Sequence, residues 1–152
     1  MLIRTHLAII VLAILLFLPS ITDKFLFIAV ALIATFLPDL DSGFATISKI
    51  KTLGFFHYFV KHRTMLHSFT FAIVISLILA FFLPIVALAF FLGYSLHVFA
   101  DSFTIDGIRP FWPLKRESKW HFRTGSRVET TFFIILILLD IFVFILLVRN
   151  VY

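Results

Sequence analysis

Five apolar runs constrain the fold of this chain more than any other feature of its sequence. Turn residues or polar segments separate them, and they cover residues 7–18, 25–37, 69–83, 85–100 and 130–148. Hydrophobic residues make up 62% of the 152 residues, charged residues make up 14%, and the mean hydropathy is +1.13. A soluble domain has about 45–50% apolar and about 25% charged residues, so this composition predicts an integral membrane protein.

The lengths of the runs predict several short helices. Residues 69–100 would span roughly 48 Å as one helix, whereas the hydrocarbon core of a membrane is about 30 Å thick, so we expect a turn near Pro84. Counted from Leu2, the first run has 17 residues. That length is enough to cross a membrane that thins locally, or to cross it as a helix that stands upright. We therefore predict an all-α fold, with one membrane domain over residues 1–152 and about five short transmembrane helices of alternating direction.

Most histidines and several carboxylates stand at the ends of these apolar runs. In a bundle of alternating helices, the starts of odd-numbered helices and the ends of even-numbered helices lie at the same membrane face. Eight side chains are thereby predicted to meet at one face, namely His6, Asp39, Asp41, His62, His67, His97, Asp101 and Glu129. Ionisable groups that converge at one end of an apolar bundle favour a metal site.

His97 and Asp101 form the most informative pair. They are four residues apart, so on a helix their side chains lie about 40° apart around the axis. An imidazole and a carboxylate on one face can hold a divalent ion, and burying them is costly unless they are paired or bound to metal. A simpler interpretation is a His–Asp hydrogen bond at the helix end. The chain has no cysteine, so a metal ion would need His and carboxylate ligands.

The other members of this group each have a plainer interpretation. Asp39 and Asp41 repel each other unless a cation lies between them, but they also fit a helix stop and an N-cap. Arg63 can bind an anionic substrate such as a phosphate, or it can serve only to fix the topology. His6 can instead be a histidine that lies at the membrane interface without binding metal. Glu129 can instead be an acidic residue that stabilises the start of a helix.

The distribution of positive charge predicts the orientation in the membrane. Of the 13 Lys and Arg residues, all but Lys24 and Arg149 fall on the side of the predicted site. The positive-inside rule then places the site at the cytoplasmic face of a multi-pass protein of the cell (inner or plasma) membrane, with the N-terminus in and the C-terminus out. The net charge of +5 thus reflects orientation, and no nucleic-acid partner is expected. Residues 109–116 mix aromatic and cationic side chains, which suits the headgroup level.

Five short motifs occur in an order that resembles a known family. They are LPDLD (37–41), HRTMLHS (62–68), GYSLHVFAD (93–101), TIDG (104–107) followed by FWP, and GSRVE (125–129). Together they resemble the YdjM-type family of small membrane-bound proteins, which are classed as predicted metal-dependent hydrolases. The resemblance extends from His6 to Glu129. Two positions depart from the family pattern, since Ser42 replaces a usual His and Leu66 replaces a usual Thr.

This resemblance implies an activity. The family is grouped with the zinc-dependent phospholipase C and single-strand nuclease fold, an all-α fold whose His and Asp/Glu ligands hold several metal ions and cleave phosphate esters. The eight residues above are then the expected ligands of two or more divalent ions, with zinc expected first and manganese or magnesium as alternatives. Asp39 or Glu129 is the expected general base, and Arg63 and Arg109 offset charge on the phosphoryl oxygens. The expected substrate is a membrane lipid or a lipid-linked phosphate.

Two other classes of function fit the same residues. In a metal-ion transporter or sensor the ligands would bind reversibly, but such a protein needs polar groups through the membrane, and only Asp140 lies deep in a run. In a non-catalytic assembly protein the metal cluster would only hold the helices together, so that loss of a ligand would unfold the chain. The sequence leaves the substrate, the metal and the oligomeric state open.

Overall fold

The structure is a computed structural model that describes residues 1–39 and 65–151. Within these two ranges the chain forms five α-helices and no β-strand, which confirms the predicted all-helical fold. Three residues to which the sequence assigns a role, Asp41, His62 and Arg63, lie outside the described ranges. The roles expected of them stay predictions.

The five helices follow the five apolar runs closely. Their bounds are Ile3–Phe17 for α1, Lys24–Phe36 for α2, Phe69–Phe82 for α3, Pro84–Ser102 for α4 and Arg127–Val151 for α5. The predicted turn near Pro84 is confirmed, because α3 and α4 are separated there. Pro84 occupies the first turn of α4, where its missing N–H costs no helical hydrogen bond.

Not all five helices are long enough to cross a bilayer. Three segments have the length and hydropathy for a membrane span, namely Ile3–Ser20, Pro84–Ser102 and Arg127–Arg149. Helices α2 and α3 are apolar but have only 13 and 14 residues, against about 20 for a typical span. The prediction of a membrane protein is therefore supported, and complete spans are supported for three of the five helices.

Helix α4 lies at the centre of the described bundle and packs against α1, α2 and α3, while α5 packs against α1. Helices approach closely in a membrane where small residues lie between them. A β-carbon on Gly93 of α4 would overlap the carbonyl oxygen of Ala31 in α2 and would lie 3.1 Å from Cβ of Ala34. The hydroxyl of Thr35 donates across this contact to the carbonyl of Gly93 at 3.4 Å. Helices α2 and α4 are therefore in direct backbone contact.

The loop formed by residues 103–126 joins α4 to α5 and is held to the bundle by backbone hydrogen bonds. The N–H of Phe69 in α3 donates to the carbonyl of Pro110 at 2.7 Å, which holds the loop to the bundle. Within the loop, Ile108 and Ser118 exchange two backbone hydrogen bonds at 3.0 and 2.9 Å. Large apolar side chains of this loop remain exposed at Ile105, Phe111, Leu114 and Trp120. The position at the headgroup level expected of residues 109–116 stays a prediction.

We expect Gly93→Ala to destabilise the bundle. In most helix interiors the same change would lower the free energy of the helix by about 1 kcal/mol, because alanine has the higher helix propensity. The added methyl group would overlap the backbone of α2, and overpacking of this kind costs about 1–3 kcal/mol. Thermal unfolding of the detergent-purified protein, followed by circular dichroism, measures the change. Phe91→Ala, on an exposed part of the same helix, is the control and should have the smaller effect. A variant at position 93 as stable as the wild type would contradict the close contact.

Candidate metal centre

The last two turns of α4 bring His97 and Asp101 together on one face, as their spacing predicts. Both side chains are buried, with 1% and 2% of their surface exposed. His97 Nε2 lies 3.7 Å from Asp101 Oδ2, which is too far for a direct hydrogen bond. Both ring nitrogens of His97 lack a hydrogen-bond partner among the described residues, and burying polar atoms in that state is costly. The facing nitrogen and oxygen atoms are thus available to a shared ion.

The turn before α3 brings His67 to the same place. Ser68 is the N-cap of α3, because its Oγ accepts a hydrogen bond from the N–H of Phe71 at 3.2 Å. The hydroxyl of Tyr94 on α4 donates to the carbonyl of Leu66, which ties this turn to α4. His67 lies between these two attachments and is buried.

Asp39 comes from the end of α2. Its N–H donates to the carbonyl of Phe36 at 3.2 Å, so the backbone continues the last helical turn. The side chain is 48% exposed, which makes it the accessible member of the group. Partial burial alone would raise the pKa of this carboxyl, but the imidazoles of His67 and His97 outweigh that effect and hold its pKa well below the usual range.

Four side chains form a compact set of ligand atoms, which we name the quartet: Asp39, His67, His97 and Asp101. One ligand atom from each lies within 4.8 Å of the others. His67 Nε2 is 3.7 Å from Asp39 Oδ1 and 3.8 Å from Asp101 Oδ2, and His97 Nε2 is 3.5 Å from Asp39 Oδ1. Ligand atoms of a tetrahedral zinc site are about 3.3 Å apart. Two imidazoles that each face two carboxylates therefore fit a divalent cation.

His6 of α1 lies directly against the quartet. Its ring stacks on that of His97, with 3.9 Å between the centroids and 8° between the planes. Its Nε2 lies 3.4 Å from Asp101 Oδ1, the oxygen that the amino group of Met1 also contacts. The side chain of His6 is 2% exposed, so it is enclosed by the bundle. The two oxygens of Asp101 thus serve different partners, Oδ2 the quartet and Oδ1 the start of α1.

Glu129 is also buried, but both its oxygens are engaged by hydrogen bonds. Oε1 accepts from the N–H of Leu2 at 2.7 Å and from the hydroxyl of Thr5 at 3.0 Å, and Oε2 accepts from the N–H of Gly125 at 2.6 Å. These bonds join the start of α1 to the start of α5. The ligand or base role expected of Glu129 stays a prediction, and the role that the structure gives it is to connect two helices.

The eight predicted ligands thus fall into three sets. Four of them make up the quartet, and two more, His6 of α1 and Glu129 of α5, lie where the starts of these two helices meet. The other two, Asp41 and His62, lie outside the described residues.

Sequence reasoning missed Tyr94 and Thr5, which hold His67 and Glu129 in place through their hydroxyl groups. Tyr94 precedes His97 by three residues, so the two side chains lie on the same side of the helix. This spacing was the signal that could have pointed to Tyr94. Thr5 gave no such signal, because its partner is distant in sequence.

The location of the site at the end of a membrane bundle agrees with a comparison of the whole sequence. The family described as YdjM inner membrane protein matches residues 1–151. The chain belongs to this family. No curated protein and no solved structure matches the chain. The description of the YdjM family names an inner membrane protein and no reaction. The hydrolase class and the relationship to the phospholipase C fold therefore stay predictions.

We expect the detergent-purified protein to bind a divalent ion, zinc or manganese, and His97→Ala or Asp101→Ala to lose it. Each variant removes a direct ligand, so affinity should fall by more than the about 10–100-fold seen when only a hydrogen-bond partner of a ligand is lost. Elemental analysis after reconstitution with each metal measures the content. His121→Ala is the matched control, since His121 is exposed in the loop of residues 103–126. Equal metal content in folded His97→Ala and wild-type protein would contradict the site.

Proposed function

We propose that this member of the YdjM family is a membrane-embedded, metal-dependent hydrolase that cleaves a phosphoester of a lipid or a lipid-linked substrate. The observation that carries the proposal is the quartet, which combines three buried ligands with one accessible carboxylate. A structural metal site is closed by protein ligands, whereas a catalytic site keeps one coordination position open to water or substrate. The half-exposed Asp39 marks the side of the quartet from which water could reach such a position. The family resemblance of the sequence motifs adds the phosphoester class.

Each residue of the quartet has a definite task in this proposal. His67, His97 and Asp101 would hold the metal from the buried side, with His6 stacked behind His97 and bonded to Asp101. The bound metal would supply Lewis acidity toward the phosphoryl oxygens and lower the pKa of water. Asp39, which is half exposed, would accept the proton of the attacking water as general base.

The surroundings of the site favour a substrate at the membrane surface. The quartet lies at the C-terminal end of α4, which has the length of a membrane span. The loop of residues 103–126 follows it directly and exposes aromatic side chains beside cations such as Lys115 and Arg116. This mixture is typical of segments at headgroup depth. Arg109, a cation considered for charge stabilisation, is paired with Glu117 at 3.1 Å.

A metal-ion transporter or sensor is the second candidate. Asp140 of α5 is 7% exposed, and its Oδ1 has no hydrogen-bond partner within the described part of the chain. It lines a cleft between α1 and α5 together with Arg4. A single deep carboxylate does not make a polar path through the bundle, so we prefer the hydrolase. Metal uptake into sealed vesicles that contain the protein would favour the transporter, and unfolding of every quartet variant would favour an assembly role.

We expect the metal-loaded protein to hydrolyse at least one member of a panel of phosphomonoesters, phosphodiesters and pyrophosphates. Asp39→Asn should lower kcat by about 10²–10⁴-fold, because it removes the proton acceptor. Steady-state phosphate release in mixed micelles measures the rate. Asp106→Asn, an exposed carboxylate of the loop, is the control and should retain activity. A protein with bound metal that cleaves no member of the panel would refute the proposal.

We propose that the site faces the cytoplasm, with the N-terminus in and the C-terminus out, because the Lys and Arg residues concentrate on its side. The chain has no cysteine, so single cysteines can report exposure. In intact cells a membrane-impermeant maleimide should label Ser20→Cys, and it should label Lys115→Cys only after permeabilisation. The reverse pattern would invert the orientation.

A further inference from the structure

An apolar groove lies next to the quartet, between α1, α4 and α5. Its volume is about 400 Å³, within the range of about 300–1,000 Å³ that is usual for small-molecule sites. Its walls are apolar throughout, and the lining residues are Met1, Ile9, Leu96, Phe99, Ala100, Phe103, Phe122, Phe132 and Leu136. A site with no polar group in its walls suits a hydrocarbon chain.

The groove and the quartet share helix α4. Leu96, Ala100 and Phe103 follow one another at helical spacing along its wall. His97 and Asp101 each come one position later than a lining residue, so they lie about 100° further around the same helix. Met1 joins the two regions, because its amino group contacts Asp101 and it also lines the groove. A molecule in the groove therefore lies on the neighbouring face of α4, and Met1 contacts both the groove and Asp101.

The long axis of the groove follows the helices away from the site. From Phe103 to Leu96 the helix rises by roughly 10 Å, at 1.5 Å per residue. Ile9 on α1 and Leu136 on α5 each lie about two turns inside their helices. One end of the groove is thus level with the quartet, and the other lies deeper among the transmembrane helices.

A basic loop contributes one wall residue, Phe122, to the end of the groove that is level with the quartet. Phe122 is anchored there, because its N–H donates to the carbonyl of Phe103 at 3.3 Å. The loop that carries Phe122, residues 103–126, contains five Lys or Arg residues and two carboxylates. A molecule with a hydrocarbon chain and an anionic head complements an apolar groove to which a basic loop contributes a wall residue.

We propose that this groove binds one acyl chain of an anionic phospholipid and thereby places the headgroup phosphate at the quartet. The link to catalysis rests on the proposed hydrolase function, whereas the binding of the lipid chain does not require it. The groove would then select substrates by the presence of a long apolar chain, and it would orient the phosphate toward Asp39 and His97.

Photo-crosslinking with a diazirine-labelled phosphatidylglycerol in phosphatidylcholine vesicles tests the proposal directly. Cross-links to the wild-type protein should map to the segments that line the groove in α4 and α5. Leu96→Trp and Ile9→Trp fill the groove from two different helices, and each should reduce the yield of these cross-links by about tenfold, since room for several methylenes is lost. Leu138→Trp, on the exposed surface of α5, is the matched control and should leave the yield unchanged.

The possible outcomes distinguish failure of the lipid-binding groove from failure of the proposed hydrolase function. Cross-links spread evenly over the exposed helix surfaces, or a yield unaffected by both groove variants at wild-type metal content, would overturn the groove. A yield that falls in both groove variants and not in the control would support it, even if no phosphoester is cleaved. In that case the hydrolase alone would fail. Metal content is measured in every variant to show that the bundle is folded.

Discussion

The close contact between α2 and α4 positions much of the rest of the site. Gly93 lets the backbone of α4 approach that of α2 at Ala31, and the hydroxyl of Thr35 bridges the two helices. Beyond this contact the chain carries Asp39 at the end of α2 and His97 one turn further along α4. Since the contact fixes the two helices side by side, these two residues arrive within 3.5 Å of each other. Without it, the accessible carboxylate would not meet the buried imidazole.

Burying the polar side chains of the quartet and His6 costs free energy of desolvation, which the packing of apolar side chains alone does not offset. The quartet and His6 place three imidazoles and two carboxylates together, and all but Asp39 are buried. Charges in such a place are normally paired or bound to metal. A divalent ion in the quartet would satisfy Nε2 of His97, so metal binding and stability of the bundle should be coupled. Glu129 reinforces the same region without being part of the quartet, because it fastens the start of α1 to α5.

Two neighbouring faces of α4 have opposite chemistry, as the proposed binding of an amphiphilic lipid requires. One face carries His97 and Asp101, and the other carries Leu96 and Ala100 in the apolar groove. A helix separates such faces by a rotation of about 100° per residue, so a polar site and an apolar groove can share one helix end. A polar site beside an apolar groove is the arrangement that the proposed lipid, whose phosphate is attached to an acyl chain, would need.

Local sequence patterns were enough to predict a membrane protein, five helices, the turn at Pro84 and the shared face of His97 and Asp101. These features depend on local hydropathy and on helical spacing, which a chain carries within a few residues. The alternating scheme also predicted that His6, Asp39 and His67 would join that pair. The tertiary structure decided how they do so: His6 stacks on His97, Asp39 stays accessible, and Glu129 binds Leu2, Thr5 and Gly125. It also decided that the apolar groove lies beside the quartet. These outcomes depend on contacts between residues far apart in the chain, and such contacts are set by the way in which whole helices pack and not by any local pattern.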